Sequence, residues 1–292
     1  MADSYEKWSE LPYAGEKEPP HNPEEPLAGS WPDYYLRNSP PGRFETLNGR
    51  PLRLEIKPPS SIDWEKELKK VQRTLEQITP EQVKLAEYWG TGVASKQWTP
   101  IIDRLIDTYG VTAPRAARIL AAVAAGMNDA FTTVWYLKYR WNVARPNQLD
   151  HDLATIVCTP RHPTYPSGHA TISASTAEIL SYFFPTESKR LHELANECAD
   201  SRLYAGVHFP VDNEQGLRLG KQMGSLVVNE LIKEENIRGQ MIDIPYREDY
   251  HANLTPPPYK QVIDYNFDNK CDSTIEEPFQ RHKSHSKPKL FF

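Results

Sequence analysis

The chain has 292 residues, a formal net charge of −5 and a pI near 6.0. This length is enough to bury a substantial core, in one large domain or in two small ones. The acidic balance argues against nucleic acid or an anionic membrane as the main partner, so a cationic site in this chain must be local.

The amino terminus has no basic segment followed by an apolar one, so the sequence predicts no signal peptide. The most apolar run, 119–127, is far shorter than a membrane span. We therefore expect a cytoplasmic protein, which excludes an integral-membrane lipid phosphatase. Three cysteines at irregular spacing predict neither a disulfide framework nor a zinc site, and we expect free thiols at Cys158, Cys198 and Cys271.

Both ends of the chain are predicted to be irregular. Residues 1–59 are rich in proline and lack helical periodicity, which indicates an extended arm. From 239 to 292 the chain is again rich in proline and polar residues, and 281–289 is typical of a solvated basic tail. The aromatic residues of the arm favour packing over the core rather than disorder: Trp8, Tyr13, Trp31, Tyr34 and Tyr35.

Between these ends, over 60–238, the sequence predicts one all-α domain, a helical bundle without β-structure. Thr79-Pro80 and Thr112-Ala113-Pro114 mark helix starts, where a capping residue precedes an early helical proline. The helix from 112 is apolar nearly all the way round, which predicts a central, buried helix that Arg145-Pro146 ends. The second predicted helix begins at 79, and the others run over 60–77, 99–110, 112–144, 168–184, 187–204 and 210–235.

Lys138 and Arg145 are separated by about two helical turns, so both are expected on one face near the end of the long helix. Such a pair is ordinarily part of a solvated face. Pro146, directly after Arg145, would hold the guanidinium at a fixed corner, where its planar fork can bind two oxygens of an oxyanion.

The tetrapeptide Pro166-Ser167-Gly168-His169 precedes an apolar helix. Ser167 can cap that helix or turn its hydroxyl toward a ligand, and Gly168 lets the backbone approach closely. The free N–H groups at a helix start point toward an anion. Taken alone, the tetrapeptide also fits an ordinary capped helix with a surface histidine.

The third segment, 201–212, combines Arg202 with a histidine and a carboxylate. Pro210 marks a new helix start, which puts His208 just before that helix and Asp212 in its first turn. A carboxylate there can accept from one imidazole nitrogen and leave the other as a directed nucleophile or ligand. An isolated histidine–aspartate pair at this spacing is more often structural.

Together, Lys-x6-Arg-Pro, Pro-Ser-Gly-His and Ser-Arg-x5-His-x3-Asp resemble the signature of the superfamily that joins type 2 phosphatidic acid phosphatases with vanadium-dependent haloperoxidases. Every position of that signature is matched between 138 and 212, with looser similarity back to the long helix and forward to Gly220. The resemblance implies a helical bundle with an anion bound at one end of its core helices. It is more specific for the fold and the anion site than for the reaction.

The resemblance also implies a role for each residue. His208 would be the apical ligand of vanadium in a peroxidase, or the nucleophile that forms a phosphohistidine in a phosphatase, and Asp212 would orient it. His169 would be the general acid or base. Three positive charges would neutralise the oxyanion, and the groups implied to hold its oxygens are Lys138, Arg145, Ser167, Gly168 and Arg202.

Two residues beside the signature favour the haloperoxidase branch. His162 resembles a histidine of bromoperoxidases at a position where chloroperoxidases have phenylalanine. Trp135 is similar to a tryptophan near the halide site of that branch. Both are candidates for the halide or substrate pocket, although Trp135 also fits a core position and His162 an exposed loop.

The preferred interpretation is therefore a vanadate-dependent haloperoxidase that oxidises bromide or iodide with hydrogen peroxide. The alternative is an acid phosphatase that hydrolyses phosphomonoesters in the same pocket without vanadate. A non-catalytic oxyanion-binding protein is disfavoured, because both histidines are present. We expect small-molecule partners (peroxide, halide, an organic acceptor or a phosphomonoester) and neither nucleic acid nor membrane, while a homo-oligomer stays open.

Overall fold

The computed structural model describes residues 5–254, 259–261, 271 and 274. Within these residues the fold is a helical bundle preceded by one short hairpin, and the basic tail predicted over 281–289 lies outside them. The strands are β1 (Leu36–Asn38) and β2 (Phe44–Thr46), and the helices are α1 (Trp64–Glu76), α2 (Pro80–Gly90), α3 (Trp98–Thr108), α4 (Ala113–Trp141), α5 (Pro146–Leu149), α6 (Gly168–Phe183), α7 (Ser188–Tyr204) and α8 (Pro210–Leu231).

The helix starts follow their capping residues. The carboxylate of Asp63 accepts from the Lys66 N–H at 3.0 Å, so α1 begins at Trp64 rather than at residue 60. At α2, the predicted capping box between Thr79 and Gln82 is present in both directions. The local signals placed the starts of α2 and α8 well, whereas α1 begins four residues later than predicted and α8 ends at Leu231 rather than at 235.

The centre of the bundle is α6, and the prediction of a central α4 is wrong. Most residues of α6 are buried, and the helix packs against α4, α7 and α8. The first half of α4 packs through one face only: Ile119 and Val123 are buried, whereas Leu120 is 43% exposed and Ala124 is also on the surface.

Helix α8 approaches α6 closely because glycines replace side chains where the two helices meet. A Cβ added at Gly220 would lie 2.1 Å from the carbonyl oxygen of Thr171. At Gly216 and Gly224, one turn to either side, an added Cβ would lie 2.7 Å from the carbonyl oxygen of Ser167, which caps α6, and 2.8 Å from that of Ser175. This close contact brings the first turns of α6 and α8 together.

The long helix ends at Trp141, earlier than predicted, because the chain that follows pairs with the arm. Asn142 is left-handed, with φ 55°. Its carbonyl accepts from the Trp8 N–H at 2.8 Å, and the Ala144 N–H donates to the carbonyl of Glu6 at 3.0 Å. The Asn142 N–H still donates to the carbonyl of Lys138 at 2.7 Å, and the hydrogen bonds to the arm begin with the Asn142 carbonyl.

Arg145 consequently lies beyond α4, in extended conformation at the residue before α5. Its N–H donates to the side-chain oxygen of Gln148 at 2.8 Å, and Pro146 opens α5 rather than ending α4. The prediction that Lys138 and Arg145 project from one helical face is therefore wrong, because α4 is broken before Arg145 is reached.

The arm packs against the core and contains structure that the sequence did not indicate. Strands β1 and β2 pair antiparallel, with Leu36 opposite Thr46, in the arm that the sequence predicted to be irregular. Trp8 and Tyr13 are buried as expected, whereas Trp31 and Tyr34 are exposed. The division of the chain at residues 59 and 238 stays a prediction.

A disulfide joins Cys158 to Cys271, with 5.7 Å between their Cα atoms, so the prediction of three free thiols is wrong for this pair. The chain after α8 returns to the bundle here, where Thr155 and Thr274 form an isolated parallel bridge. Only Cys198 of the three is free, and burial raises its pKa to about 12. The two cysteines are 113 residues apart in the sequence, and no local pattern indicates that they pair.

None of the helices in the described ranges combines the length and the apolar character of a membrane span. Even α4, the longest with 29 residues, carries Asp129 and Lys138 in its second half. The cytoplasmic location stays a prediction.

Two carboxylates attach the arm to α4. Asp129, which is 1% exposed, accepts from the N–H groups of Tyr34 and Tyr35 at 2.9 and 2.6 Å. Asp33 accepts from the hydroxyl of Thr132. Burial raises the pKa of both carboxyls, that of Asp33 to about 6 with a further rise from the charge of Asp129.

We expect Asp33→Asn to stabilise the protein at about pH 7 and to have little effect at about pH 4. The pKa of Asp33 lies above its unfolded value, so the folded state binds more protons and loses stability as the pH rises through this interval. Because Asp33 is partly exposed, the gain should be only about 1 kcal/mol. Urea unfolding at both pH values measures it, with Asp103→Asn on the exposed face of α3 as control. Equal stability of variant and wild type at both pH values would contradict the assignment.

Candidate active site

A cavity of about 320 Å³ lies where the first turns of α6 and α8 meet the end of α7. The predicted site residues divide between its wall and the layer behind it. Lys138, Arg145, Ser167 and Asp212 are buried behind the wall. The predicted residues that line the cavity are Trp135, His162, Gly168, His169, Arg202 and His208.

His208 is oriented by hydrogen bonds on one side of its ring. Its Nδ1 lies 2.8 Å from the Asp212 carboxylate, which also accepts from the Phe209 N–H at 3.0 Å and from the Thr164 hydroxyl. A proton on Nδ1 leaves the lone pair on Nε2, whose hydrogen-bonding contact is an Arg145 Nη at 3.4 Å. The arrangement directs one imidazole lone pair toward the cationic groups, as a nucleophile or a ligand requires.

Two fully buried cations are held by backbone carbonyl groups. The Lys138 ammonium donates to the carbonyls of Pro163 and Thr164 at 2.7 and 2.8 Å. The Arg145 guanidinium donates from Nε to the His162 carbonyl at 3.0 Å. Burial lowers the pKa of both side chains, and the charge of Arg145 lowers that of Lys138 further. An anion placed among these groups would relieve this unfavourable charge.

The third cation, Arg202, comes from the last turn of α7 and is 2% exposed. Its Nη2 donates to the carbonyl of Ala86 at 2.9 Å, which connects the guanidinium to α2. Burial lowers its pKa to about 10, so the group stays charged at neutral pH. Two helices, α4 and α7, and the loop before α5 thus supply three fixed positive charges.

The aspartate beside these cations is itself buried. Burial raises the pKa of Asp212, while its hydrogen bond from Thr164 and the charge of Lys138 oppose the rise. One oxygen, Oδ1, is buried without a hydrogen-bond partner in the part of the chain that the structure describes. The carboxylate is therefore positioned through Oδ2 alone.

The start of α6 presents His169 to the cavity. The Ser167 hydroxyl caps the helix by accepting from the Ala170 N–H at 3.4 Å, and the Ser167 N–H donates to the Asp212 carbonyl at 3.0 Å. Burial, with the charge of Arg202, lowers the pKa of His169 well below its usual value. Its Nε2 is buried and has no hydrogen-bond partner among the described residues. Buried polar atoms ordinarily have such a partner.

Trp135 and His162 form a second wall of the cavity. Their ring centroids are 4.7 Å apart, and His162 is 7% exposed rather than lying in an exposed loop. His162 Nδ1 lies 3.1 Å from an Arg145 Nη and 3.2 Å from the carbonyl oxygen of Pro163. Burial and the charge of Lys138 lower the pKa of His162, which keeps the ring neutral.

Two residues that border the site could not be identified from the sequence. Thr164 donates to Asp212, and Glu24 of the arm lines the cavity. Thr164 follows Pro163 in a loop with no periodic pattern, so only its closeness to the tetrapeptide at 166–169 was a signal. For Glu24 there was none, since its contacts lie more than a hundred residues away in sequence.

Residues 116–231 match the sequence model of the PAP2 superfamily. The matched segment includes the end of α4, the starts of α6 and α8, and every residue of the signature from Lys138 to Asp212. This part of the chain is therefore similar to the PAP2 superfamily, as the signature predicts. The predicted superfamily and its all-α fold are confirmed, while the roles of the individual residues stay predictions.

Solved structures with a similar fold come from vanadium-dependent enzymes. A bacterial vanadium-dependent iodoperoxidase has a TM-score of 0.63 and 23% identity, covering 79% of this chain and 62% of the other. The apo form of a bacterial vanadium-dependent chloroperoxidase has a TM-score of 0.58 and 14% identity, covering 78% and 63%. The chain thus spans less than two thirds of either enzyme, and at these identities the likeness concerns the fold. No curated protein sequence matches the chain.

Proposed function

We propose that this protein is a vanadate-dependent haloperoxidase that oxidises bromide or iodide with hydrogen peroxide. The observation that carries the proposal is the Trp135–His162 wall, which adds a polarisable apolar surface to a pocket with three buried cations. A halide is itself large and polarisable, so such a wall suits it. The iodoperoxidase and chloroperoxidase that share the fold support the same reaction class.

The residues present fit an oxyanion such as vanadate. His208 Nε2, with its lone pair directed by Asp212, would be the nitrogen that binds the oxyanion. The unpartnered Nε2 of His169 is a buried polar atom that an oxyanion would satisfy. When bound, vanadate supplies the activation of peroxide toward a halide. The groups that would hold its oxygens are Lys138, Arg145, Ser167, Gly168 and Arg202.

Burial keeps both histidines of the site neutral, which this chemistry requires. Burial and the charge of Arg145 lower the pKa of His208, so its Nε2 keeps its lone pair at neutral pH. His169 is neutral for a related reason, and its Nε2 can take a proton from incoming hydrogen peroxide. Trp135 and His162 exclude water from one side of the cavity.

An acid phosphatase is the second candidate, because the rings of His208 and His169 both line the cavity. In that reaction His208 Nε2 attacks phosphorus, and the alcohol leaves with a proton that His169 donates. Water then attacks the phosphohistidine, giving a proton back to His169 and releasing phosphate. The bound phosphate dianion would raise the pKa of His169, which lets that ring act as the acid.

Parallel assays separate the two functions. With vanadate, hydrogen peroxide and bromide, we expect bromination of a phenolic dye, and no bromination after vanadate is removed. Hydrolysis of p-nitrophenyl phosphate by the vanadate-free protein is expected to be slow by comparison. A vanadate-loaded protein that oxidises no halide, together with fast hydrolysis in its absence, would overturn the peroxidase in favour of the phosphatase.

A further inference from the structure

Glu24 belongs to the arm but is fixed against the cavity by its backbone. Its carbonyl accepts from Trp135 Nε1 at 3.2 Å and from the Tyr139 hydroxyl at 2.5 Å. Its N–H donates to the carbonyl of Arg161 at 2.8 Å. These three hydrogen bonds hold residue 24 in one place, although the side chain itself is 54% exposed.

The carboxylate of Glu24 faces the pocket through His162. Its Oε2 lies 4.0 Å from His162 Nε2, whereas the other ring nitrogen, Nδ1, lies 3.1 Å from an Arg145 Nη. Because the His162 ring is neutral, this contact is neither an ion pair nor a hydrogen bond, and the charge of Glu24 acts on the buried cations through space. Arg145, His162 and Glu24 therefore follow one another from the buried side of the pocket to the solvent, where the Glu24 carboxylate is exposed.

Glu24 is also the one acidic side chain among the described residues that line the cavity. The charged groups that act on it are Lys138 and Arg145, which favour its ionised form, and the neighbouring Glu25, which opposes it. Burial contributes to a raised pKa at Glu24. A negative charge therefore stands at the solvent side of a pocket whose other charges, apart from the buried Asp212, are positive.

We propose that Glu24 is a specificity-determining residue of the pocket, where its negative charge weakens the binding of anions and discriminates most against those with the highest charge. The repulsion that an anion experiences is proportional to its own charge, so a phosphate dianion is disfavoured more than a halide. The effect would keep a pocket with three cations from being occupied by ambient phosphate. The proposal rests on the anion-binding function proposed above.

Glu24→Gln tests the charge without changing the size of the side chain. Calorimetric titration of the vanadate-free protein with inorganic phosphate at about pH 7 should show affinity raised about three- to tenfold. Bromide, measured by competition with phosphate, should gain about twofold or less. The phosphate affinities of variant and wild type should converge at acidic pH, where Glu24 is protonated in the wild type.

Two further variants are matched controls. Glu25→Gln removes the same charge one residue along the arm, from a side chain that does not line the cavity, and should change phosphate affinity by less than about twofold. Glu24→Asp keeps the charge and should stay closer to the wild type than Glu24→Gln does. A structural role of Glu24 would instead weaken binding in both variants.

The outcomes separate this proposal from the one it rests on. If the wild type binds phosphate and Glu24→Gln binds it no more tightly, or gains equally for phosphate and bromide, the role of Glu24 is overturned and the anion pocket stands. If neither protein binds phosphate or vanadate, the anion pocket itself is overturned, and the role of Glu24 with it.

Discussion

His208→Ala is expected to lower turnover by about a thousandfold or more, whichever of the two reactions the protein catalyses. The substitution removes the one imidazole whose lone pair is oriented by Asp212 and directed toward the buried cations. Removing a catalytic nucleophile or ligand ordinarily costs this much, because the remaining groups can bind the reactant without bringing it to reaction. The bromination and phosphatase assays described above both measure the loss.

Binding should respond differently from turnover in the same variant. The three cations remain after the substitution, so the affinity for inorganic phosphate should fall by less than about tenfold. Asp212 keeps its hydrogen bonds from Phe209 and Thr164, so the fold should persist with a cost of about 1–3 kcal/mol. A variant that retains more than about a tenth of wild-type activity would remove His208 from its proposed role.

His192→Ala is the matched control for the loss of an imidazole. His192 lies on α7 with 39% of its side chain exposed, beside Glu178 on the outside of the bundle. Exposed substitutions of this kind ordinarily change stability by less than about 0.5 kcal/mol. We expect wild-type turnover and wild-type phosphate affinity from this variant.

The parts of the site that could be predicted from the sequence lie in short, continuous segments of the chain. The capping residues and prolines at the starts of α2 and α8 are local signals, and Pro210 correctly put His208 before a helix and Asp212 in its first turn. Residues 166–169 likewise lie at a helix start, with Ser167 as the cap. These features depend on hydrogen bonds between neighbours in sequence, so they are visible without the fold.

The position of Arg145 could not be predicted in this way. Its distance from Lys138 along the chain suggested a helical face, but the arm pairs with residues 142–144 and breaks the helix. Lys138 and Arg145 are nevertheless held by the same loop, because carbonyls of the loop before α6 accept hydrogen bonds from both side chains. Contacts between the arm and the bundle decide this geometry, and no local pattern reports them. The same holds for Glu24 and for the Cys158–Cys271 disulfide.

The central position of α6 was missed because the long helix α4 is also apolar in sequence. Among the residues that α6 buries are hydroxyl residues, and Thr171 and Ser173 are fully buried. The Thr171 hydroxyl donates back to the Ser167 carbonyl at 2.8 Å, and Ser173 accepts from Trp98 Nε1 at 2.9 Å. Because these hydroxyls are satisfied, they can be buried, and their small size permits the close approach of α8.

Gly220→Ala is expected to destabilise the protein by about 3 kcal/mol or more, through that same close approach. The added Cβ would lie 2.1 Å from the Thr171 carbonyl oxygen and 2.9 Å from the Cβ of Ala174. The first of these atoms belongs to helix backbone, so the two helices must separate to relieve the overlap. The better helix propensity of alanine offsets only about 1 kcal/mol of this cost. Urea unfolding of variant and wild type measures the difference.

Gly126→Ala is the matched control, because it makes the same substitution inside another buried helix segment. There the added Cβ would lie 2.3 Å from the Cδ1 of Ile179, the far end of a flexible side chain that can change rotamer. We expect a cost of about 1 kcal/mol or less. Equal stability of the two variants would show that backbone contact between α6 and α8 does not limit the packing.

Gly220→Ala should also weaken phosphate binding. The Ser167 N–H donates to the Asp212 carbonyl at 3.0 Å, and this hydrogen bond joins the two helix starts that carry His169 and His208. A destabilised variant with unchanged phosphate affinity would mean that the site is held together without the close contact of these helices.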